Sequence, residues 1–194
     1  MALETPGLRV PLTADDELWR EAVAAGSELL WLHSFAERLI DPDAGRPVQV
    51  PEIEGIGWDR MVTRLPADMS EISYKAETGT LAVGDGQISG LRPEVWTYSV
   101  SGMQVLPKWL GYRTRRGAGR AVSSSSALDR IRPESWADEW NDELLDLIRV
   151  LTLTVDRQET LADLLERVCD GPLIPAGSLP TPSGAERRPP STAR

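Results

Sequence analysis

The chain has 194 residues, 41% of them hydrophobic, which suffices for one folded domain with a core but hardly for two. Its short apolar runs and its N-terminus exclude a membrane span and a signal peptide, and its single cysteine, Cys169, excludes an internal disulfide. The net charge of −9 argues against non-specific nucleic-acid binding by the whole surface. We therefore expect a soluble cytoplasmic protein without a membrane partner.

The N-terminal residues predict a pair of helices joined at Gly26. Thr13 can cap the first helix, and acidic residues follow it where the helix dipole favours negative charge. The second helix is expected to run from Ser27 to about Ile40, where Asp41 and a proline stop it. Residues 42–70 follow as an insert rich in proline, glycine and charge, with one short strand expected near residues 60–64.

The middle of the chain carries the clearest strand signal. Apolar residues alternate with polar ones over residues 72–76 and 81–83, on either side of a Glu77-Thr78-Gly79 turn. Residues 95–100 fit either a strand or a turn of helix, closed by a Ser-Gly pair. Pro107 suits the first turn of a short helix that carries Trp109.

The last third of the chain is helical by its periodicity. Apolar residues recur at helical spacing over residues 136–155 and again over residues 161–168, and Gly171 with a following proline ends the second segment. Residues 174–194 contain little to bury, so we expect a disordered tail. The predicted class is α+β, mainly helical, with N-terminal and C-terminal helical pairs around a small antiparallel sheet.

Three catalytic motifs are missing from the sequence. Two of them require lysine, and the sequence contains only two lysines. Neither Lys75 nor Lys108 stands in the Gly-Lys-Ser/Thr setting of a phosphate-binding loop, or two places after an acid as in a nuclease. The only Pro-Pro pair, residues 189–190, is not part of the Asn-Pro-Pro-aromatic loop of an amino-methylating DNA methyltransferase. We therefore expect no cofactor and no complete catalytic site in this chain.

Three further patterns resemble sites but have simpler structural interpretations. The lone His33 lies among apolar residues of its helix, which favours a core histidine with a structural hydrogen bond over a metal ligand. Gly84 and Gly86 lack the spacing of a dinucleotide-binding loop and fit a turn. The carboxylates of residues 134–146 alternate with an apolar stripe, which is typical of a solvated helix face. We therefore expect no metal site.

Positive charge is concentrated in residues 108–132, where seven basic side chains accompany one acidic one. Guanidinium groups match phosphate oxygens and guanine edges, and an aromatic ring beside them can stack on a base or a sugar. A basic loop over about residues 113–127 is therefore a candidate DNA contact, and a solvated linker is the alternative. The candidate DNA-binding residues are Lys108, Tyr112, Arg113, Arg115, Arg116 and Arg120.

Four stretches of the sequence resemble a known family. They read "LRVPLTADDELWREAVAAGSELLWLHSFAERLIDP", "ISYKAETGTLAVG", "LRPEVWTYSVSGMQVLPKWLGYR" and "LDRIRPESWADEWNDELLDLIRVLTLTV". They resemble the C-terminal specificity domain of type ISP restriction–modification enzymes, which are long chains that also contain nuclease, motor ATPase and adenine methyltransferase parts. The resemblance covers residues 7–172, so the specificity domain is expected to span residues 1–173.

The resemblance implies a module that reads a double-stranded DNA target in a restriction–modification system, which methylates DNA and defends the cell against phage. It implies no catalysis by this chain alone and a methyltransferase–nuclease partner protein. Because the chain begins at the specificity domain, it is expected to be a separately encoded subunit or the remnant of a split gene. A protein-interaction domain that never touches DNA is the other alternative. Four tryptophans are candidates for a partner surface or for the core: Trp19, Trp31, Trp136 and Trp140.

Overall fold

The computed structural model describes residues 10–116, 133–181, 183 and 184, and within this part the α+β class is confirmed. No helix in these ranges is both long and apolar enough to cross a membrane. The helices are α1 (Asp16–His33), α2 (Pro93–Trp96), α3 (Val105–Tyr112) and α4 (Glu139–Asp170). The strands are β1 (Gly57–Arg60), β2 (Ile72–Lys75), β3 (Thr80–Val83), β4 (Gly86–Ser89), β5 (Ser99–Val100) and β6 (Met103–Gln104).

The predicted N-terminal pair of helices is wrong, because α1 runs without a break through Gly26. A glycine inside a helix costs only about 1 kcal/mol, and this cost does not end the helix when the neighbouring residues favour it. The helix begins later than predicted, since the carboxylate of Asp15 accepts hydrogen bonds from the next turn. It ends earlier, at His33, because Phe35 and Ala36 adopt left-handed backbone angles.

The predicted C-terminal pair is likewise one helix, since α4 extends over 32 residues. The apolar periodicity pauses over residues 156–160, which are polar, but the segment contains no glycine or proline. Polar residues with ordinary helix propensity leave the backbone hydrogen bonds intact and only expose that face of the helix. The interruption of the apolar pattern therefore does not end this helix.

Four strands form an antiparallel sheet in the order β1-β4-β3-β2. The predicted β2–β3 hairpin is confirmed, with Tyr74 opposite Leu81. The strand expected near residues 60–64 lies slightly earlier, as β1, and pairs with β4. Within the predicted insert 42–70, β1 is accompanied by single 3-10 turns at Pro42–Ala44 and Met69–Glu71.

The turn between β3 and β4 contains Asp85, whose carboxylate binds a neighbouring segment. It accepts hydrogen bonds from the Thr63 hydroxyl at 2.5 Å and from the N–H groups of Thr63 and Arg64 at 3.0 Å. The Thr63 hydroxyl, followed by these backbone groups, lowers the pKa of Asp85 to about 2. A carboxylate with a lowered pKa stabilises the fold above its ordinary pKa, and this contribution is lost as the pH falls toward 2.

Two compact units emerge from the described residues: one within Met1–Gly26 and Glu159–Arg194, the other formed by Ser27–Gln158. In the first unit the N–H of Ala14 donates to the carbonyl of Pro172, and the N–H of Ile174 donates to Leu12, both at 2.7 Å. Ile174, the first residue of the predicted tail, thus pairs with the N-terminal segment. Residues 182 and 185–194 of that tail lie outside the described residues.

The core of the second unit forms where the sheet, α3 and α4 meet. Fifteen buried apolar residues build it, among them Leu81 and Ile88 from the sheet, Leu106 and Leu110 from α3, and Leu144 from α4. A smaller cluster surrounds Trp31, whose indole N–H donates to the carbonyl of Pro47. The tryptophans divide accordingly: Trp31 and Trp136 are buried, Trp140 is partly buried against the core, and Trp19 is 48% exposed.

A buried asparagine joins α4 to the backbone beside the sheet. The side chain of Asn141, 4% exposed, accepts a hydrogen bond from the N–H of Val62 at 3.1 Å and donates one to the carbonyl of Val62 at 3.2 Å. The carbonyl of Asn141 also accepts from the indole N–H of Trp58 at 3.2 Å. One side chain thus satisfies both backbone groups of a fully buried residue, which no apolar side chain can do.

We predict that Asn141→Leu destabilises the protein by about 2–4 kcal/mol, because it leaves the N–H and the carbonyl of Val62 buried without partners. Urea denaturation monitored by tryptophan fluorescence measures the change. The control is Gln158→Ala, an exposed position of the same helix, which is expected to change stability by less than about 0.5 kcal/mol. Equal midpoints for the two variants would contradict the role given to Asn141.

Candidate nucleic-acid interface

The candidate interface is built on α3, which confirms the short helix expected around Pro107 and Trp109. Leu106 and Leu110 lie one helical turn apart and are fully buried. The residues at positions 108 and 112 are also one turn apart and lie on a different side, outside this core. The helix is therefore held from one side while it presents Lys108 and Tyr112 on the other.

Lys108 and Tyr112 contact each other on that exposed side. The Lys108 ammonium lies 4.8 Å from the centroid of the Tyr112 ring, within the range of a cation–π interaction. Tyr112 is 56% exposed, so its ring remains accessible for stacking. The structure thus brings together a cation and an aromatic surface that the sequence placed four residues apart.

A hairpin directly before α3 extends this surface. In it Val100 pairs with Met103, and both side chains are more than half exposed. The two turn residues, Ser101 and Gly102, have φ values of 51° and 79°. Together with residues of α3, the hairpin lines a mainly apolar groove of about 440 Å³. The sequence predicted the Ser-Gly closure but not the hairpin, although a two-residue turn between a β-branched and an apolar residue is compatible with one.

Arg113 was predicted to contact DNA, but its side chain faces α4. Its guanidinium carbon lies 3.6 Å from the centroid of Trp109 and 5.3 Å from that of Trp140. It also forms a 2.9 Å ion pair with Glu143. With 22% of its side chain exposed, Arg113 is a link between α3 and α4.

Arg115 and Arg116 are held on the surface through their backbone. Their N–H groups donate to the carbonyls of Pro66 at 2.9 Å and Ala67 at 3.1 Å. Arg116 forms a 2.7 Å ion pair with Asp68, although 79% of its side chain is exposed. The pKa of Asp68 is lowered, mainly by hydrogen bonds from the Ser70 hydroxyl and N–H and less by Arg116. The start of the predicted basic loop thus follows a definite path, whereas Arg120 and the rest of the loop, residues 117–127, lie outside the described residues.

The acidic residues of α4 lie on the other side of Trp109. Here Phe35, Trp109 and Leu147 provide the apolar part of a groove of about 610 Å³. Four carboxylates at its edge complete the lining: Glu139, Asp142, Glu143 and Asp146. The face predicted to be merely solvated therefore borders an acidic groove, defined here as these seven residues, and duplex DNA would be repelled from it.

His33 makes the structural hydrogen bond that the sequence predicted, but it does so at the surface. Its Nε2 lies 3.2 Å from the hydroxyl oxygen of Thr154, and partial burial lowers the pKa of the imidazole. Among the described residues, no group of three or more His, Cys, Asp or Glu side chains could hold a metal ion. The cations of α3 and the following segment therefore remain the strongest candidate site in this part of the chain.

A known protein family matches most of the chain. The family model described as the type ISP C-terminal specificity domain matches residues 1–147, which include the sheet, the hairpin, α3 and the start of α4. No curated protein and no solved structure matches the chain significantly.

We predict that Arg113→Ala lowers stability by about 1–2 kcal/mol, since it removes the stacking on Trp109 and the ion pair with Glu143. Arg113→Lys should recover only part of this loss, because an ammonium lacks the flat face of guanidinium. Thermal unfolding followed by circular dichroism measures both. Arg115→Ala is the matched control, and a midpoint for Arg113→Ala equal to that of this control would exclude the linking role.

Proposed function

Because the chain belongs to the family of type ISP C-terminal specificity domains, we propose that it recognises duplex DNA through α3 and the segment that follows it. Membership of this family indicates target recognition in a restriction–modification system. We further propose that the chain is not catalytic alone and directs a partner that carries the adenine methyltransferase and nuclease activities.

The observation that carries this proposal is the arrangement of one cation and an aromatic ring on a helix held by the core, with two exposed arginines shortly after its end. Lys108 and Tyr112 project from a helix whose opposite side is buried, and the backbone of Arg115 and Arg116 is fixed by hydrogen bonds. The ion pair of Arg116 with Asp68 is largely exposed, and such pairs contribute little, so its guanidinium can exchange Asp68 for a phosphate at small cost. Arg113 supports this surface through its contacts with Trp109 and Glu143 and need not touch DNA.

We predict that Arg115→Ala and Arg116→Ala each reduce the slope of log affinity against log salt by about one unit, because each removes one phosphate contact. Fluorescence anisotropy with a mixed-sequence duplex over a series of salt concentrations measures the slope. The matched control is Arg20→Ala, an exposed arginine of α1, which should leave the slope unchanged. Wild-type-like slopes for both variants would contradict DNA contact by this segment.

A second candidate function, docking of the partner protein, is favoured by the acidic groove. An apolar floor with negative charges at its edge complements a partner segment that carries a large apolar side chain flanked by lysine or arginine. Three of its carboxylates, Glu139, Asp142 and Glu143, are exposed, and of these Glu143 is paired with Arg113. We propose that such a segment of the methyltransferase binds here, which leaves the basic surface on the other side of Trp109 for DNA.

The double variant Glu139→Gln/Asp142→Asn is predicted to weaken binding of a type ISP methyltransferase that lacks its own specificity domain by about three- to tenfold, chiefly at low salt. Isothermal titration calorimetry at two salt concentrations measures the effect.

The control is Glu159→Gln/Glu166→Gln, which removes the same charge from exposed positions elsewhere on α4. If both double variants weaken binding equally, the effect is one of total charge and the groove is not the docking site. If neither does, the partner binds another surface.

A further inference from the structure

The β5–β6 hairpin exposes two apolar side chains without an evident structural need. Val100 is 56% exposed and Met103 is 53% exposed, and they lie opposite each other on the same face of the ribbon. A contiguous exposed apolar surface can mark a binding site, and these two residues line one groove together with residues of α3. Neither residue was among the candidates that the sequence suggested.

The hairpin is held rigidly at its base and its turn. The N–H of Val105 donates to the carbonyl of Tyr98 at 3.0 Å, which continues the strand pairing up to the start of α3. Val95 of α2, before the hairpin in the chain, and Leu106 of α3, after it, are fully buried and anchor the adjoining helices. The left-handed residues at positions 101 and 102 form the tight two-residue turn that suits a twisted antiparallel ribbon. A rigid element of this kind can present its side chains without a large entropic cost.

The groups around Val100 and Met103 indicate which class of ligand this groove fits. Lys108, Tyr112 and Arg113 border the same groove as Val100 and Met103. Apolar contacts beside cations match the major groove of DNA, where thymine methyl groups project between the two phosphate backbones. The major groove is about 12 Å wide and admits a two-stranded β-ribbon.

We propose that the β5–β6 hairpin enters the major groove and selects thymine, with Val100 and Met103 packing on the C5-methyl group. Lys108 then lies beside the hairpin, where its ammonium meets a phosphate and fixes the register. This inference rests on the proposed function, and it adds the residues that read the sequence to the cations that provide affinity. Reading by apolar contact distinguishes thymine from cytosine, which lacks the methyl group.

The test begins with selection of bound sequences from a random duplex library by the full chain. In the enriched target, each thymine is replaced singly by deoxyuridine, which pairs identically but lacks the C5-methyl group. At one or two positions the wild-type chain should lose about fourfold in affinity, the effect of one buried methyl. Met103→Ala and Val100→Ala should bind the thymine target more weakly and should be less sensitive to deoxyuridine at those positions.

Met61→Ala is the matched control, because Met61 is a methionine of similar exposure, 54%, outside the hairpin. It should keep the wild-type sensitivity to deoxyuridine. The deoxyuridine measurement on the wild-type chain uses no protein variant, so a folding defect cannot cause the expected loss of affinity.

Two outcomes would overturn the inference while leaving the proposed function intact. One is a target in which no thymine methyl group contributes to binding, and the other is equal deoxyuridine sensitivity in the wild-type and hairpin variants. If that equal sensitivity is accompanied by loss of methyltransferase binding in the hairpin variants, the hairpin contacts a protein partner instead. A wild-type chain that enriches no sequence would instead contradict the proposed function itself.

Discussion

The pairing of Asn141 with the backbone of Val62 is the constraint on which the arrangement of the candidate site depends. It fixes the N-terminal half of α4 beside the sheet, since the side chain of one residue satisfies both polar groups of the other. The neighbouring residues of α4 are thereby placed as well. Trp140 and Glu143 meet Arg113, and this contact joins α4 to the end of α3. A buried amide of α4 thus helps to position the end of α3 and the arginines that follow it.

Charge is separated on the two sides of Trp109. Lys108 of α3 borders the groove that the exposed hairpin lines, whereas the carboxylates of α4 border the acidic groove. This separation reconciles an overall charge of −9 with a role in DNA recognition, because phosphate binding depends on the local potential rather than on the total. If α3 binds DNA as proposed, the acidic groove faces away from the duplex and is free to contact a protein.

The different roles assigned to the arginines follow from their surroundings. An exposed guanidinium whose backbone is fixed can bind a phosphate at small entropic cost, as proposed for Arg115 and Arg116. A guanidinium stacked between rings and paired with a carboxylate is already engaged, so its removal lowers the stability of the fold. Arg113 belongs to this second kind, although it lies only two and three positions before Arg115 and Arg116 and is the same type of residue.

The sequence alone determined the α+β class, the β2–β3 hairpin, the short helix α3, the concentration of positive charge after it and the family, because these depend on local periodicity, turn chemistry and composition. Only the tertiary structure decided that α1 and α4 are continuous, since a single glycine or a polar stretch is compatible with both a helix and a break. Only the tertiary structure also revealed the partners of Asn141 and Arg113, which lie 79 and 30 residues away in the sequence. Local patterns contain no information on which distant groups packing brings together, and so the hydrogen bonds and ion pairs that shape the site could not be read from them.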